Sequence, residues 1–392
     1  MEINITKLFI NHYRDSLTSM KQYDVVIIGA GCSGLSLAYR LIGSPLKVCV
    51  LDNMKRDNRH RKTWSYWNTY QHPFEHLQAY SNSSLIVKNS SQTTLDCNTY
   101  NYSTIDSNDF DNFVFSELEQ SENIDIIFET NIEDIGLEGT EYIFRVSKNF
   151  DCSARYVFDS RPNKSPFSMK QIFKGIFVEF HEPLENFKAH LMDFSDKDQF
   201  HFFYSLPLGE TRYLFESTYY TSLNMDSELM TNEVHDYIKE RYGDSYSVVR
   251  EEYGEIPLTT NIKLNQNKSN YIKIGIPAGS TRASTGYTFL NIQKQADEYI
   301  RMLDGKKFIE YPKTLKNKIL RKMDNLLLMI IRDHPSESKK ILFEMFNRNK
   351  AKRIIRFLSD TPTAVDIISI IWNMPKVIFI KYAIKSFTAS KI

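Results

Sequence analysis

A buried strand that runs into a glycine-rich turn and then a helix limits the fold of this chain more than any other feature. The apolar run Val25 to Ile28 leads into Gly29-x-Gly31-x-x-Gly34, and Leu35, Ala38 and Leu41 follow at helical spacing. Gly29 permits the tight turn, Gly31 lets the backbone approach a pyrophosphate, and Gly34 lets the helix pack on the strand. The pattern therefore predicts a βαβ unit that binds a dinucleotide.

Two further segments support this prediction. The next apolar strand, Lys47 to Asp52, ends in an acid at the spacing at which a carboxylate binds the ribose hydroxyls of an adenosine. Much later, Tyr271 to Gly279 has the pattern of a strand that enters a second glycine turn, before a helical segment from Ser284 to Met302. The backbone N–H groups of such a turn bind anions, and its cofactor-binding residues are predicted to be Gly275, Ala278 and Gly279.

Length and composition exclude several classes of protein. A chain of 392 residues exceeds what one hydrophobic core usually serves, so we expect two interleaved domains. A net charge of +1 argues against nucleic acid as a partner. The four cysteines show no CxxC spacing, which favours a reducing cytoplasm. No uninterrupted apolar run is long enough to span a bilayer, and the polar N-terminus has no signal-peptide core.

The order of patterns predicts an α/β fold in which a Rossmann-like cofactor domain is interrupted by a mostly antiparallel β substrate domain. A hairpin is predicted from Ile132 to Val146, and a helix begins after the capping residues that follow Ser103. From Ile172 to Ile262 the pattern is mostly β, with one helix from Ser227 to Tyr242. The predicted segments are 21–62, 101–165 and 266–303 for the cofactor domain, 63–100 and 166–265 for the substrate domain, and 304–392 for a C-terminal helical region.

Seven motifs, in register over roughly residues 23 to 385, resemble those of the bacterial lycopene β-cyclases. They are Asp24 to Gly34, Thr63 to Trp67, Phe158 to Pro162, Phe202 to Pro207, Leu214 to Tyr220, Glu252 to Pro257 and Gly275 to Thr288. The C-terminal Arg356-Phe-Leu-Ser-Asp and Met374-Pro-Lys match as well. One departure concerns the pattern Leu-Glu-Glu/Asp-Thr, which here reads Phe215-Glu216-Ser217-Thr218, so that a serine replaces the second acid.

The resemblance implies a flavoprotein with the fold of the aromatic hydroxylases. It implies FAD, active in its reduced form without net electron transfer, and NAD(P)H as a possible source of electrons. The implied reaction is the redox-neutral cyclisation of the linear ends of lycopene, or of a related linear carotene, to β-rings. Because a carotene is insoluble in water, the family also implies peripheral contact with the inner face of the cell membrane, whereas the oligomeric state stays open.

Cyclisation of a linear polyene end requires a strong enough acid, shelter for a cation and removal of one ring proton. Within the resemblance, Glu216 is the candidate general acid, because desolvation among aromatic residues raises the pKa of a carboxyl group. Secondary candidates for proton transfer are Glu252, Glu255 and Asp159, although strand-end acids such as Asp159 commonly form structural ion pairs. Five aromatic residues are predicted to line the substrate channel: Trp64, Trp67, Tyr204, Phe215 and Tyr219.

Other interpretations of the sequence stay open or fail. A flavin monooxygenase that acts on a hydrophobic substrate is the main alternative, and a catalytically silent flavin-binding or carotenoid-binding protein is the third. The basic loop from Lys55 to Lys62 is either solvated or in contact with phosphates. His72-Pro-Phe-Glu-His76 resembles a metalloprotease motif, but its proline and the missing third ligand argue against a metal site. No Gly-x-Ser-x-Gly motif supports a hydrolase.

The C-terminal segment from Asp366 to Phe387 is apolar but interrupted by polar residues and a proline, namely Asn373, Pro375, Lys376 and Lys381. Such a pattern is wrong for a membrane span and is typical of a segment that lies in the membrane interface. A pair of helices packed on the substrate domain gives the same pattern.

Overall fold

Three β-sheets and a group of C-terminal helices make up the fold. The computed structural model describes residues 20–147, 150–162, 169–261, 270–305 and 315–386. Ile262 and Phe387, the last residues of two predicted segments, lie outside the described residues, as do the predicted domain boundaries near residues 165 and 265.

The strands, in chain order, are β1 (Lys21–Ile28), β2 (Val48–Leu51), β3 (Thr63–Trp67), β4 (Tyr80–Asn82), β5 (Ser84–Lys88), β6 (Gln92–Asp96), β7 (Tyr102–Asp106), β8 (Ile124–Ile127), β9 (Ile132–Glu138), β10 (Glu141–Val146), β11 (Cys152–Asp159), β12 (Lys170–Phe180), β13 (His190–Phe194), β14 (His201–Pro207), β15 (Arg212–Thr221), β16 (Tyr246–Pro257) and β17 (Tyr271–Lys273). The α-helices are α1 (Cys32–Arg40), α2 (Ser107–Glu119), α3 (Ser227–Tyr242), α4 (Phe289–Leu303), α5 (Leu315–Asp333), α6 (Pro335–Arg348), α7 (Ala351–Leu358), α8 (Ala364–Asn373) and α9 (Lys376–Lys385).

The first sheet contains the predicted βαβ unit. Its strand order is β8-β2-β1-β11-β10-β9, and β17 pairs with β11 in parallel. β1 pairs in parallel with β2 and β11, and its residues Val25 to Ile28 are almost completely buried. Burial on both faces explains the unbroken apolar run: Val25 and Ile27 pack against helices, whereas Val26 and Ile28 pack against residues of β10 and β11.

The second sheet has the order β16-β12-β15-β14-β13-β5-β6 and is antiparallel except between β13 and β5. The β15 residues Tyr213, Phe215, Ser217 and Tyr219 point away from those that alternate with them, Leu214, Glu216, Thr218 and Tyr220. The first set faces α3, where Phe215 packs with Val234 and Tyr237. The second set therefore faces the opposite side of the sheet.

The segment 63–100 contributes to two sheets. β3 and β4 pair with β7 in a three-stranded sheet, whereas β5 and β6 extend the second sheet. Tyr66 and Ile105 of the small sheet pack into the core around β1 and α1, while Trp67 packs with the core of the second sheet. The small sheet thereby joins the two larger ones.

The structure confirms most of the predicted helices and corrects two boundaries. α3 spans the predicted residues, with Asp226 as the N-cap that accepts from the Glu228 N–H at 2.9 Å. The helix expected after Ser103 begins only at Ser107, because β7 runs to its N-cap Asp106. The helix expected from Ser284 begins only at Phe289, because a turn with Gly286 at φ +74° precedes it.

Helices α5 to α9 pack against the second sheet and share one core with it. Within the described residues, no single helix is long and apolar enough to cross a bilayer. α8 and α9 reach that length and hydropathy together, but they are bent by 106° at the break between them.

A buried cluster of ion pairs connects the segment after β17 with the C-terminal helices. Arg282 Nη2 lies 3.1 Å from Asp324 Oδ1 of α5, and Arg282 Nη1 lies 3.1 Å from Asp360 Oδ1 beyond α7. The Arg282 guanidinium also donates to the Phe357 carbonyl oxygen. All three charged side chains are less than a tenth exposed, so each depends on its partners for compensation.

Replacement of Arg282 by Met should leave Asp324 and Asp360 as uncompensated buried carboxylates. We expect the free energy of unfolding to fall by about 3–5 kcal/mol at neutral pH, as measured by urea unfolding. Arg212→Met is the matched control, because Arg212 pairs with Glu179 at the surface and its loss should change stability by about 1 kcal/mol or less. Equal effects of the two changes would contradict the role given to the buried cluster.

Candidate active site

One continuous cavity of about 1990 Å³ runs from the glycine turn of β1 to the C-terminal helices. This volume exceeds the roughly 300–1,000 Å³ of a site for a single drug-sized ligand. Its dinucleotide end is lined by Gly31, Cys32, Ser33, Asp52 and Gly279. Its apolar arm is lined by helices α5 to α9, with residues that include Met323, Leu327, Met345, Phe346 and Phe379. Glu216 and Glu252 lie on the sheet that lines the cavity.

The glycine turn has the shape that a pyrophosphate site requires. A Cβ on Gly34 would lie 1.9 Å from the carbonyl oxygen of Gly29, so only glycine permits this contact between α1 and the turn. A Cβ on Gly31 would meet nothing within 4 Å, because Gly31 borders the open cavity. The N-terminus of α1 thus faces space that an anionic group can fill.

The second glycine turn lies against the first. Gly275 has φ +71°, and a Cβ there would lie 2.6 Å from Ser33 Oγ at the start of α1. The following 3₁₀ turn, Ile276–Ala278, brings Gly279 to the cavity, while Ala278 is buried. Both predicted glycine turns therefore meet at the dinucleotide end.

Asp52 lies at the end of β2 beside the first glycine turn. Its Oδ2 accepts from the Ala30 N–H at 2.6 Å, and its Oδ1 accepts from the Met54 N–H at 2.7 Å. Arg59 of the basic loop reaches the same place: its Nη1 is 3.6 Å from Asp52 Oδ2 and its Nε donates to Asp111 Oδ2 at 3.0 Å. Arg59 lines the cavity, so the sequence interpretation missed a residue whose only signal was the charge of its loop.

Glu216 projects from β15 into the cavity. Its Oε1 accepts from the Thr218 hydroxyl at 2.5 Å, and within the described residues it forms no ion pair. Burial raises the pKa of Glu216 to about 8; the Thr218 hydrogen bond opposes this shift, and the nearby Glu252 carboxylate adds to it. At neutral pH the carboxyl group is therefore mostly protonated.

Glu252 is a second carboxyl group in the same row of the sheet, but in a different environment. Its Oε2 lies 3.2 Å from Arg250 Nη1, and its Oε1 accepts from the Thr63 N–H at 3.2 Å. Burial raises the pKa of Glu252, while Arg250 and Thr63 stabilise the ionised form and oppose that rise. The Arg250 guanidinium is itself held 3.4 Å over the Phe177 ring.

Gly175 of β12 separates the two carboxyl groups. It lies directly opposite Glu216 on one neighbouring strand and opposite Glu252 on the other. A Cβ on Gly175 would stand 3.8 Å from Glu216 Oε2 and 3.9 Å from Glu252 Cβ. The nearest atom to that Cβ would be Leu214 Cδ1 at 3.1 Å, and both carboxyl groups line the same cavity.

The other two candidate acids do not join this pair. Glu255 is exposed and bound to Lys170 at 2.8 Å, and the Lys170 hydrogen bond lowers its pKa. Asp159 is fully buried at the end of β11, away from the cavity lining. Burial alone would raise the pKa of Asp159, but hydrogen bonds from Arg161, Lys273 and Tyr271 outweigh it and lower the pKa to about 2. Asp159 is thus held ionised as a structural anion.

The aromatic residues divide between the cavity and the core. Trp64 and Tyr204 line the cavity as predicted, and Tyr204 lies directly opposite Glu216 across β14 and β15. Trp67 is buried behind the cavity wall, with its ring centroid 4.9 Å from that of Tyr102 and 5.0 Å from that of Tyr287. Trp67, Phe215 and Tyr219 were predicted wrongly as channel residues: Trp67 does not reach the cavity, and strand alternation turns Phe215 and Tyr219 towards α3.

Two cavity tyrosines, Tyr102 and Tyr287, were missed by the sequence analysis. The Tyr204 hydroxyl donates to the Tyr102 hydroxyl at 3.2 Å, and the Tyr102 and Tyr287 hydroxyls are 3.4 Å apart. Tyr220 shares the cavity face of β15 with Glu216. The Thr-Gly-Tyr motif was a sequence signal for Tyr287. Tyr102 had no such signal, because its place at the cavity depends on the pairing of β7 with the distant strand β3.

Ser217, which replaces the second acid of the motif, faces away from the cavity. Its hydroxyl donates to Glu233 Oε2 of α3 at 2.7 Å and lies 2.9 Å from His201 Nε2. Burial lowers the pKa of His201 to about 3, so the imidazole is neutral at physiological pH. Since Ser217 and Glu216 lie on opposite faces of β15, the serine does not alter the cavity directly.

The family model of the lycopene cyclase proteins matches residues 24–383, nearly the whole chain. The chain belongs to the lycopene cyclase family. The match includes every residue that lines the cavity. No curated protein matches the sequence.

Solved structures share the fold of this lycopene cyclase family member at low sequence identity. A geranylgeranyl bacteriochlorophyll reductase-like protein from Thermoplasma acidophilum has a TM-score of 0.62 at 11% identity, covering 93% of this chain and 99% of that protein. A flavoprotein/dehydrogenase from Cytophaga hutchinsonii has a TM-score of 0.61 at 14% identity, covering 94% and 100%. PqsL, a probable FAD-dependent monooxygenase from Pseudomonas aeruginosa, has a TM-score of 0.57 at 12% identity, covering 80% and 98%. The fold is therefore that of the monooxygenase-type flavoproteins.

Two glycine substitutions should distinguish an effect on flavin affinity from an effect on the stability of the fold. Gly31→Ala fills open space beside the cavity, so the variant should keep its melting temperature without cofactor but bind a flavin dinucleotide at least tenfold more weakly. Gly34→Ala forces a Cβ against the Gly29 carbonyl, so it should lower the melting temperature of the cofactor-free protein itself. Thermal melting and flavin titration measure both effects. An unchanged flavin affinity of Gly31→Ala would contradict the assignment of the site.

Proposed function

We propose that this protein cyclises the linear ends of lycopene, or of a related linear carotene, to β-rings in a redox-neutral reaction with reduced FAD. The observation that carries the proposal is the place of Glu216: its carboxyl group has no ion-pair partner among the described residues and lines a cavity that extends from a dinucleotide cradle into an apolar arm. Membership of the family supports this choice of substrate.

The chemistry divides into three steps. The Glu216 carboxyl group gives its proton to the terminal double bond of the polyene, which leaves a tertiary cation. An internal alkene attacks that cation and closes the ring. A ring proton then leaves, so atoms and electrons balance without an oxidant or a reductant. Glu216 is suited to the first step because its raised pKa makes it a proton donor at neutral pH.

Glu252 is suited to accept the ring proton. Arg250 and the Thr63 N–H favour its ionised form, in contrast to Glu216. Two carboxyl groups whose environments differ in this way are typical of an acid and base pair. Because Glu252 has a fixed place across Gly175 from the acid, its position determines which ring proton is lost and hence where the ring double bond forms.

The aromatic wall shelters the cation. The tyrosines 102, 204, 220 and 287 and Trp64 line the cavity. The π face of one such ring stabilises a desolvated cation by about 2 kcal/mol. The apolar arm formed by α5 to α9 keeps water away from the cation and has room for the part of a long hydrocarbon next to the reacting end.

The dinucleotide end has the features that FAD requires: Gly31 and Gly279 would face its pyrophosphate, and Asp52 would face its ribose. When bound in its reduced form, FAD would supply negative charge that stabilises a nearby cation. NAD(P)H would then serve only to keep the flavin reduced. We also propose a location on the inner face of the cell membrane, because the substrate dissolves only in lipid.

The reaction should consume neither oxygen nor reductant in proportion to product. Anaerobic protein, reduced once with dithionite and given lycopene in liposomes, should form a cyclised product of unchanged mass over many turnovers. Mass spectrometry of the extracted pigments measures the outcome. A product heavier by one oxygen atom, formed only with O₂ and stoichiometric NAD(P)H, would support instead a flavin monooxygenase, an activity that a structural relative carries in its name.

Glu216→Gln should lower turnover by about 10²- to 10⁴-fold, because a general acid contributes rate of that order. The amide keeps the size of the side chain but has no proton to transfer. In the wild-type protein, activity should be retained at neutral pH and fall as the pH rises through about 8, because the acid is then ionised. The measurement is cyclised product per bound flavin, in liposomes, across this pH range.

Two neighbouring variants serve as controls. Ser217→Ala removes a hydroxyl on the α3 face of β15, and Glu255→Gln removes a carboxylate bound to Lys170; both should keep turnover within a few fold of wild type. Flavin content and thermal melting exclude unfolding. If Ser217→Ala were as harmful as Glu216→Gln, or if Glu252→Gln abolished turnover while Glu216→Gln did not, the acid would be assigned to the wrong residue.

A further inference from the structure

The helices α8 and α9 expose a concentrated apolar surface. Fifteen large hydrophobic side chains of the described residues are exposed, and seven of them lie in these two short helices. Trp372 is 71% exposed and Val377 is 84% exposed. The seven residues form the surface that we call the elbow: Val365, Ile368, Ile371, Trp372, Val377, Ile380 and Ile384. Exposed apolar surface of this kind marks a site of interaction.

The exposed charged side chains of α8 and α9 are all positive. The only acid between residues 364 and 385 is Asp366, which is buried and bound to Arg356 at 2.6 Å. Lys376 and Lys381 are exposed, and the Lys376 ammonium lies 4.7 Å from the Trp372 ring centroid. Apolar residues fringed by lysines, with a tryptophan among them, are typical of a segment that lies in the interface of an anionic membrane.

The elbow is also the wall of the cavity. Ile368, Ile371, Trp372 and Ile380 are exposed residues that also line the apolar arm. Val365 and Val377 belong to the exposed surface but do not line the cavity. The bend of 106° at Met374 and Pro375 sets the two helices around this part of the wall.

We propose that the elbow inserts into one leaflet of an anionic bilayer and is the portal through which a long apolar substrate enters the cavity from lipid. One end of the substrate reaches Glu216 while the other end stays in the bilayer, so the two ends react in separate visits. A second copy of this chain is a poorer occupant, because symmetric contact brings the lysines of the two elbows together. The insertion stands on the exposed surface alone, whereas the identity of the substrate rests on the proposed function.

Vesicle flotation tests the insertion without substrate. The wild-type protein should float with phosphatidylcholine vesicles that contain phosphatidylglycerol, and less with phosphatidylcholine alone. The double variant Val365→Glu/Val377→Glu places two carboxylates on the surface without changing a cavity residue, and its partition should fall at least tenfold. Leu229→Glu is the matched control, because Leu229 is 52% exposed on α3, and it should float as the wild type does.

Tryptophan fluorescence locates the inserted surface. The chain has three tryptophans, of which Trp64 lines the cavity and Trp67 is buried, so quenching by brominated acyl chains should report mainly on Trp372. Trp372→Phe should lose most of the lipid-dependent quenching. If the double-glutamate variant floats as well as wild type, or if Trp372 is not quenched, the insertion is contradicted. A wild-type dimer in the absence of lipid that the double variant dissociates would also overturn it, in favour of a contact between copies.

The same vesicles separate this inference from the proposed function. With lycopene in the bilayer, the double variant should retain its flavin but lose turnover with its partition, and wild type should release a product cyclised at one end before the product cyclised at both. Flotation of wild type without any cyclised product would support insertion of the elbow into the bilayer and contradict the proposed function. If the non-floating variant turns over lycopene in vesicles at the full rate, the claim that the substrate enters from lipid through the elbow is contradicted.

Discussion

Glu216 combines two conditions that rarely occur together: its carboxyl group faces a cavity, and within the described residues no cation pairs with it. A buried carboxyl group without a counter-ion remains protonated, because ionisation in an apolar environment costs free energy. Thr218 provides a single hydrogen bond at 2.5 Å, which is too little to reverse the effect of burial. The proposed chemistry depends on this balance, since a lysine or arginine paired with Glu216 would favour its ionised form and lower its pKa.

The surrounding fold keeps Glu216 away from cationic partners. Strand alternation places Glu216 on the cavity face of β15, and Gly175 of β12 lies between it and Glu252 in the sheet. Arg250 is engaged by Glu252, Asp106 and Thr63 and lies over Phe177, so its charge serves the second carboxyl group rather than the first. Two chemically identical side chains thereby acquire different electrostatic environments from the residues around them.

The sequence predicted those parts of the site that depend on local pattern. The glycine turn from Gly29 to Gly34 and the helix α3 were predictable, because turn chemistry and helical periodicity are written in consecutive residues. The direction in which Phe215 and Tyr219 point was not predicted, although alternation about Glu216 gave enough information to infer it. The structural ion pair of Asp159 was predictable, because Arg161 is two residues away, whereas its contacts with Tyr271 and Lys273 and the approach of Tyr102 to Tyr204 depend on partners far away in the chain, which one sequence does not reveal.

The protonation state of Glu216 can be observed directly by infrared difference spectroscopy of the wild-type protein against Glu216→Gln, titrated in the membrane-bound state without substrate. The structure predicts the carbonyl stretch of a neutral carboxyl group at neutral pH, present in wild type, absent from the variant and lost with a midpoint near pH 8. A spectrum in which that band is already absent at neutral pH, with the carboxylate bands in its place, would contradict the central claim that Glu216 is the proton donor.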